Sequence, residues 1–236
     1  MTTIEADADT RVLAIGAHPD DVEFGCGATL AKWSRAGAHV ELLVLTDGSK
    51  GTWDAGHDLA ALVATRHDEQ RAAAHALGAR AVHFLDAVDG ELESDSARRE
   101  EVCAVIRAAR PDVVLGHDPW KQYRLHPDHR HAGVLTVDGI VAARDPHYFP
   151  HAGVPHRPTR LLLFEAQVVD HVEAVDGIDV ESKIDALLCH RSQWRSTMGI
   201  DTGSPDADDQ LAAFGRRIRD EVASDHGEAF NLITDL

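Results

Sequence analysis

A chain of 236 residues with 44% hydrophobic content is long enough for one sizeable core and too apolar for global disorder. Its formal net charge of −17, from 40 acidic against 23 basic residues, argues against a nucleic-acid or anionic-membrane partner. No run approaches the ~20 apolar residues that span a bilayer, and the opening MTTIEADADT is acidic with no signal-peptide core.

In chain order, residues 1–9 are expected to be a flexible lead. Residues 11–17 form a first apolar strand that runs straight into Ala17-His18-Pro19-Asp20-Asp21. A helix is expected over 27–36, opened by Gly25 and Gly27. A second strand, 39–46, empties into Thr46-Asp47-Gly48-Ser49-Lys50-Gly51-Thr52-Trp53. Helix 59–77, strand 81–85, helix 96–109 and strand 112–116 follow, the last running into His117-Asp118-Pro119-Trp120 and on to His126-Pro127-Asp128-His129. Helix 129–143, strand 160–165 and helices 178–190 and 207–223 complete the pattern. Gly37, Gly78 and Pro111 punctuate the helix ends. Near-continuous apolar strands alternating with helices predict βαβ units and an α/β fold: a Rossmann-like, three-layer α/β/α arrangement with a mostly parallel central sheet. No repeat or linker divides the chain, so one domain over 1–236 is expected, with 195–236 as a C-terminal helical extension. Cys26, Cys103 and Cys189 lie far apart, which disfavours a disulfide framework or a thiolate metal site and points to the cytoplasm.

In an open parallel sheet, the loops after the carboxyl ends of the strands converge on one crevice. Here the loops after the first, second and fourth strands are the polar ones. His18 and Asp21, three apart in a tight turn, can face one point, and His126-Pro127-Asp128-His129 is the best supplier of a third ligand. Two histidines and one carboxylate with an open position make a catalytic zinc shell. The plainer alternative is a helix cap, with Asp20 or Asp21 satisfying free amides. His117–Trp120 fits a crevice wall or a turn, and Lys50, Trp53 and Asp54 fit a substrate lid or a surface loop. Trp120 and Tyr123 can stack on a sugar ring or pack internally. The aromatic stretch 147–156 suits a substrate rim or an oligomer contact.

The first cluster, continuing Val22-Glu23-Phe24-Gly25-Cys26-Gly27-Ala28-Thr29-Leu30, resembles the A-H-P-D-D signature of the LmbE-like, or PIG-L, family of zinc-dependent N-acetylglucosaminyl de-N-acetylases. His126–His129 is similar to the family's H-P-D-H motif. Thr46–Gly51, Arg66-His67-Asp68-Glu69 and Leu77-Gly78 fall between them in the expected order. Lys183-Ile184-Asp185-Ala186-Leu187 leading to His190-Arg191-Ser192-Gln193 is similar to its closing pattern, so the likeness covers roughly residues 11–194. The resemblance implies His18, Asp21 and His129 as ligands of Zn2+, with Fe2+ or Co2+ as alternatives. It implies Asp20 as general base, His126 as the partner of the oxyanion or leaving amine, and Asp128 as the group that orients His126. Arg66, Asp47 and His190 are its implied substrate contacts. The implied activity is hydrolysis of the N-acetyl group of a small amino-sugar conjugate, by an enzyme that is often a homo-oligomer.

The competing classes are an amidase on a non-sugar N-acyl substrate, a non-catalytic metal-binding module, a non-haem iron oxygenase and a dinucleotide-binding enzyme. The oxygenase site usually sits on an all-β scaffold. The dinucleotide fingerprint needs glycine where Leu30 stands.

Overall fold

The computed structural model describes residues 3–236. Seven strands form one sheet: β1 (Arg11–Gly16), β2 (His39–Thr46), β3 (Ala81–Ala87), β4 (Val113–His117), β5 (Arg160–Phe164), β6 (His171–Glu173) and β7 (Glu228–Ile233). Their order is β3-β2-β1-β4-β5-β7-β6. The first five are parallel, and β7 is antiparallel to both its neighbours. The strand period of two sorts β1 into two cores. Val12 and Ala14 face the layer of α1 (Asp21–Arg35), α2 (Leu59–Ala76) and α5 (Gly177–Cys189). Leu13 and Ile15 face α3 (Ser96–Ala109) and α4 (Pro127–Arg144). A satellite core packs α6 (Ala207–Ser224) on α5. The predicted three-layer α/β/α fold is therefore present. The order reverses at β1, with β2 on one side and β4 on the other, so the crevice opens over the carboxyl end of β1.

The glycines expected to open a helix lie inside one. Helix α1 begins at Asp21 and breaks at Cys26, whose backbone leaves the helical region (φ −153°, ψ 20°). Gly25 is required there because a Cβ would lie 2.5 Å from the Phe164 ring. The break frees amides in mid-helix, and β7 supplies their acceptor: Glu228 takes the N–H groups of Ala28 (3.1 Å) and Thr29 (2.7 Å). Lys183 neutralises that buried carboxylate at 2.7 Å and donates to the Phe24 carbonyl at 2.8 Å.

Other expectations change. The 195–236 segment is not only helical, since β7 enters the sheet between β5 and β6. Both late strands escape sequence periodicity because β6 is three residues long and β7 is only half covered. Of the lead expected to be flexible, Ile4 is buried and its amide donates to Glu173 (3.2 Å); residues 1–2 lie outside the described residues. The 147–156 stretch joins α4 to the start of β5, at the end of the sheet opposite the crevice, and so cannot rim it. The buried Arg107 guanidinium ties that stretch down through the carbonyls of Ala142, Asp145, Tyr148 and Phe149. Among the described residues, no helix is long and apolar enough to cross a membrane.

Replacing Glu228 with Ala strands the Lys183 ammonium and two helix amides in the interior. Losing one partner of a buried pair typically costs about 3–5 kcal/mol. Urea unfolding should therefore show a lower midpoint at an unchanged slope.

Candidate metal centre

Asp20, the residue before α1, holds a left-handed backbone (φ 104°, ψ −24°), a conformation costing of order 1–3 kcal/mol outside glycine. Its surroundings enforce it. Gln70 accepts the Asp20 amide at 3.0 Å, and Arg66 grips the Pro19 carbonyl at 2.6 Å. This turn aims the neighbouring Asp20 and Asp21 side chains in different directions.

Asp21 faces two imidazoles. Its Oδ1 lies 3.2 Å from His129 Nε2, its Oδ2 lies 3.3 Å from His18 Nδ1, and the two nitrogens are 3.3 Å apart. A tetrahedral ion with ligand bonds of about 2.0–2.1 Å needs donor separations of about 3.3–3.4 Å. The donor types fit a divalent ion of the zinc type, and each Asp21 oxygen stands at about this spacing from one of the two imidazoles. The remaining contacts fit it too. The far nitrogen of His18 donates to Asp128 (3.0 Å) and Asp89 (3.2 Å), which turns the Nδ1 lone pair into the triangle. Burial works against a charged His18, but the carboxylates of Asp128, Asp21 and Asp89 outweigh it and hold its pKa well above 6.5 in the metal-free protein. Burial likewise acts to raise the Asp21 carboxyl, yet His129 and His117 keep it well below 3.8.

Asp20 lines the same cavity and lies against Arg66, its Oδ2 3.4 Å from Nη2. Burial pushes its pKa up to about 6 against the pull of Arg66 and His190. His126 caps the start of α4 and leans on the site, its ring centroid 4.6 Å from His18 and 4.8 Å from His129. Burial and those two imidazoles lower its pKa, favouring the neutral ring.

Several sequence expectations land elsewhere. Asp128, expected to orient His126, instead orients His18 and accepts the amides of Gly90 (2.6 Å) and Leu92 (3.3 Å). Arg66, expected on substrate, is buried, with its donors on the carbonyls of Pro19 and Gly48. Asp47 staples two loops by accepting the amides of Ser49 and Asp89. His190 is fully buried behind Asp20, 3.7 Å from Glu23. Neither Asp47 nor His190 reaches the wall of the cavity of about 620 Å³ that His18, Asp20, Asp21, His126 and His129 line.

Further residues join the site: His117, expected to be a crevice wall or a turn, and Asp89, Arg124 and Glu165, which the sequence did not single out. Asp89 stands in the loop after β3, which obeys the same topological rule as its neighbours. His117, buried at the end of β4, reaches Asp21 Oδ2 at 3.2 Å and stacks on His129 with centroids 4.5 Å apart. Arg124 contacts His129 Nδ1 at 3.0 Å and pairs with Glu165. Glu165 is held near pKa 2: burial acts to raise it, but His117 and Arg124 prevail.

A mostly parallel sheet with a His–Asp–His donor set over its first strand defines an α/β protein with a candidate metal site in its crevice. The family profile described as PIG-L, GlcNAc-PI de-N-acetylase, matches residues 13–140. Over 203 residues the chain is 37% identical to the diacetylchitobiose deacetylase of Thermococcus kodakarensis, covering 78% of this chain and 70% of that one. It is 36% identical over 171 residues to a 1D-myo-inositol 2-acetamido-2-deoxy-alpha-D-glucopyranoside deacetylase of Rhodococcus erythropolis, covering 61% of this chain and only 57% of that relative. The solved N,N'-diacetylchitobiose deacetylase of Pyrococcus horikoshii aligns with a TM-score of 0.82 at 27% identity, over 96% of this chain and 85% of its own. The chain belongs to the PIG-L family.

A ligand imidazole must be unprotonated to hold an ion, and the carboxylates around His18 favour its charged form, so metal affinity should fall with falling pH. Calorimetric titration with zinc at pH 7 should give enthalpies that change with the ionisation enthalpy of the buffer. Asp128→Asn should weaken zinc binding about 10–100-fold, the usual effect of losing a ligand's hydrogen-bonding partner.

Proposed function

We propose that this protein hydrolyses the N-acetyl group of a small, non-lipid N-acetylglucosamine conjugate, as a cytoplasmic single-domain enzyme using Zn2+, with Fe2+ or Co2+ as functional substitutes. The observation that carries this reading is the donor triangle of His18, Asp21 and His129, with an unligated carboxylate, Asp20, beside it in the same cavity. The names of the relatives support the sugar, and three free cysteines suit a reducing compartment.

When bound, the ion supplies Lewis acidity toward the amide carbonyl and acidifies a neighbouring water. Asp20 accepts the proton of the attacking water; its raised pKa makes it a stronger base than an ordinary aspartate, and Arg66 fixes its direction. Oxygen adds to the carbonyl carbon, the C–N bond breaks, and acetate and a free amine result. The proton taken by Asp20 returns to the departing nitrogen, directly or through His126, whose neutral ring can accept it and pass it on. Asp128 serves this chemistry through His18, holding a ligand rather than moving a proton.

Acetate release from N-acetylglucosamine and its soluble conjugates, with zinc and with a chelator, tests the reading. Full zinc occupancy with no release from any amide would overturn it. Asp20→Asn should keep its zinc while losing about 10²–10⁴ in kcat, the usual share of a general base. Since a bound cation pulls a neighbouring carboxylate downward, the acid limb of kcat/KM should fall at or below pH 6.

A further inference from the structure

His117 stands beside the donor triangle without belonging to it. It ends β4, is 1% exposed and does not border the cavity, so its side chain cannot reach a substrate. A polar ring buried so completely is costly unless its nitrogens find partners. Both do, and the partner on the inner side is a ligand of the metal centre.

The ring has little freedom. Strand pairing sets His117 against Phe164 of β5. Helix α4 presses Gly133 onto the His117 carbonyl, where a Cβ would stand 2.7 Å away. The imidazole stacks on His129 and meets the Phe164 ring edge-on, with centroids 4.5 and 4.6 Å apart. Behind it, Glu165 Oε2 lies 3.3 Å from Nδ1. These contacts aim Nε2 at Asp21.

Nε2 lies 3.2 Å from Asp21 Oδ2. An ionised carboxylate only accepts, so that nitrogen carries the hydrogen and has no lone pair to give an ion. The same Oδ2 accepts the backbone amide of His18 at 2.8 Å. Two N–H donors therefore occupy the lone pairs of Oδ2, although His18 Nδ1 stands 3.3 Å from it. The other oxygen, Oδ1, faces the ligand nitrogen of His129 at 3.2 Å. The two oxygens of Asp21 are not equivalent.

We propose that His117 is a positioning residue that commits Asp21 to the ion through Oδ1 alone. With Oδ2 tied to two donors, the carboxylate offers one oxygen instead of two. A catalytic site of this kind needs an open position, which a two-oxygen carboxylate would fill. His117 thus acts through a ligand, as Asp128 does, but on the carboxylate of the set. This rests on the metal-centre reading above and not on which amide is cleaved.

Two substitutions in the full chain separate the hydrogen bond from the packing. His117→Phe keeps a flat ring between His129 and Phe164 but has no donor. His117→Gln keeps an N–H donor but loses the stacked ring. Zinc affinity, measured by competition with a chromophoric chelator, should fall about 10–100-fold in His117→Phe, the usual effect of losing a ligand's hydrogen-bonding partner. In His117→Gln it should stay within a few-fold of the wild type. Crystal structures of the zinc-loaded proteins should show Asp21 on the ion through Oδ1 in the wild type and through both oxygens in His117→Phe. The opposite order of affinities, with His117→Phe unchanged and His117→Gln weakened, would mean that only packing matters and would overturn the proposal. So would His117 Nε2 on the ion, or both Asp21 oxygens on it, in the wild-type structure, which decides even where a variant does not fold. A wild-type protein that takes up no zinc would instead overturn the metal centre itself, and the role of His117 with it.

Discussion

Four aspartates, Asp20, Asp21, Asp89 and Asp128, converge within a few ångströms at the end of β1, and the rest of the molecule is arranged to tolerate that repulsion. Buried like charges are costly unless paired and hydrogen-bonded. His18 lies among three of them, and Arg66 stands beside the fourth. Backbone amides from Lys50, Gly90 and Leu92 complete the hydrogen bonding of Asp89 and Asp128. The remaining negative charge suits a cation, and the donor triangle offers a place where a divalent ion would supply it. The histidines and the loop amides thus perform one electrostatic task from two sides.

Packing serves the same end. The glycine at position 25 lets α1 press on Phe164, and the resulting break at Cys26 lets the first turn of α1 set its own direction, carrying Asp21 and the strained Asp20 into the crevice. Gln70 fixes that turn from α2 and is itself held on Glu23 at 2.6 Å. The closing His190-Arg191-Ser192-Gln193 stretch is scaffolding more than a substrate contact: Ser192 is bound by Glu69, and Gln193 holds the Gly51 carbonyl.

Much of this could be read from the sequence because strong periodicity and local chemistry agree. Five of the seven strands and all six long helices are visible in apolar runs and amphipathic spacing, and AHPDD announces a polar turn after β1. What was hidden has physical reasons. A three-residue strand carries no period, and β7 is half covered, so both resemble loop or helix. The partners of a carboxylate also do not follow from sequence spacing. Asp128 and His126 are two apart yet turn to different neighbours, because Asp128 lies inside the first turn of α4 and His126 precedes it. Asp89, Arg124 and Glu165 belong to no compact motif, and only the sheet order brings their loops to one place.

Glu228 also has a bearing on when the site comes into being. The acceptor for the broken middle of α1 lies some 200 positions further along the chain. A growing polypeptide can lay down β1 through β5 in order, but until residue 228 has emerged the amides of Ala28 and Thr29 lack their acceptor. The broken helix that carries Asp21 is then completed late, after β7 slots between β5 and β6. A nascent chain short of that point would leave the β5 edge that ends at Phe164 unpaired.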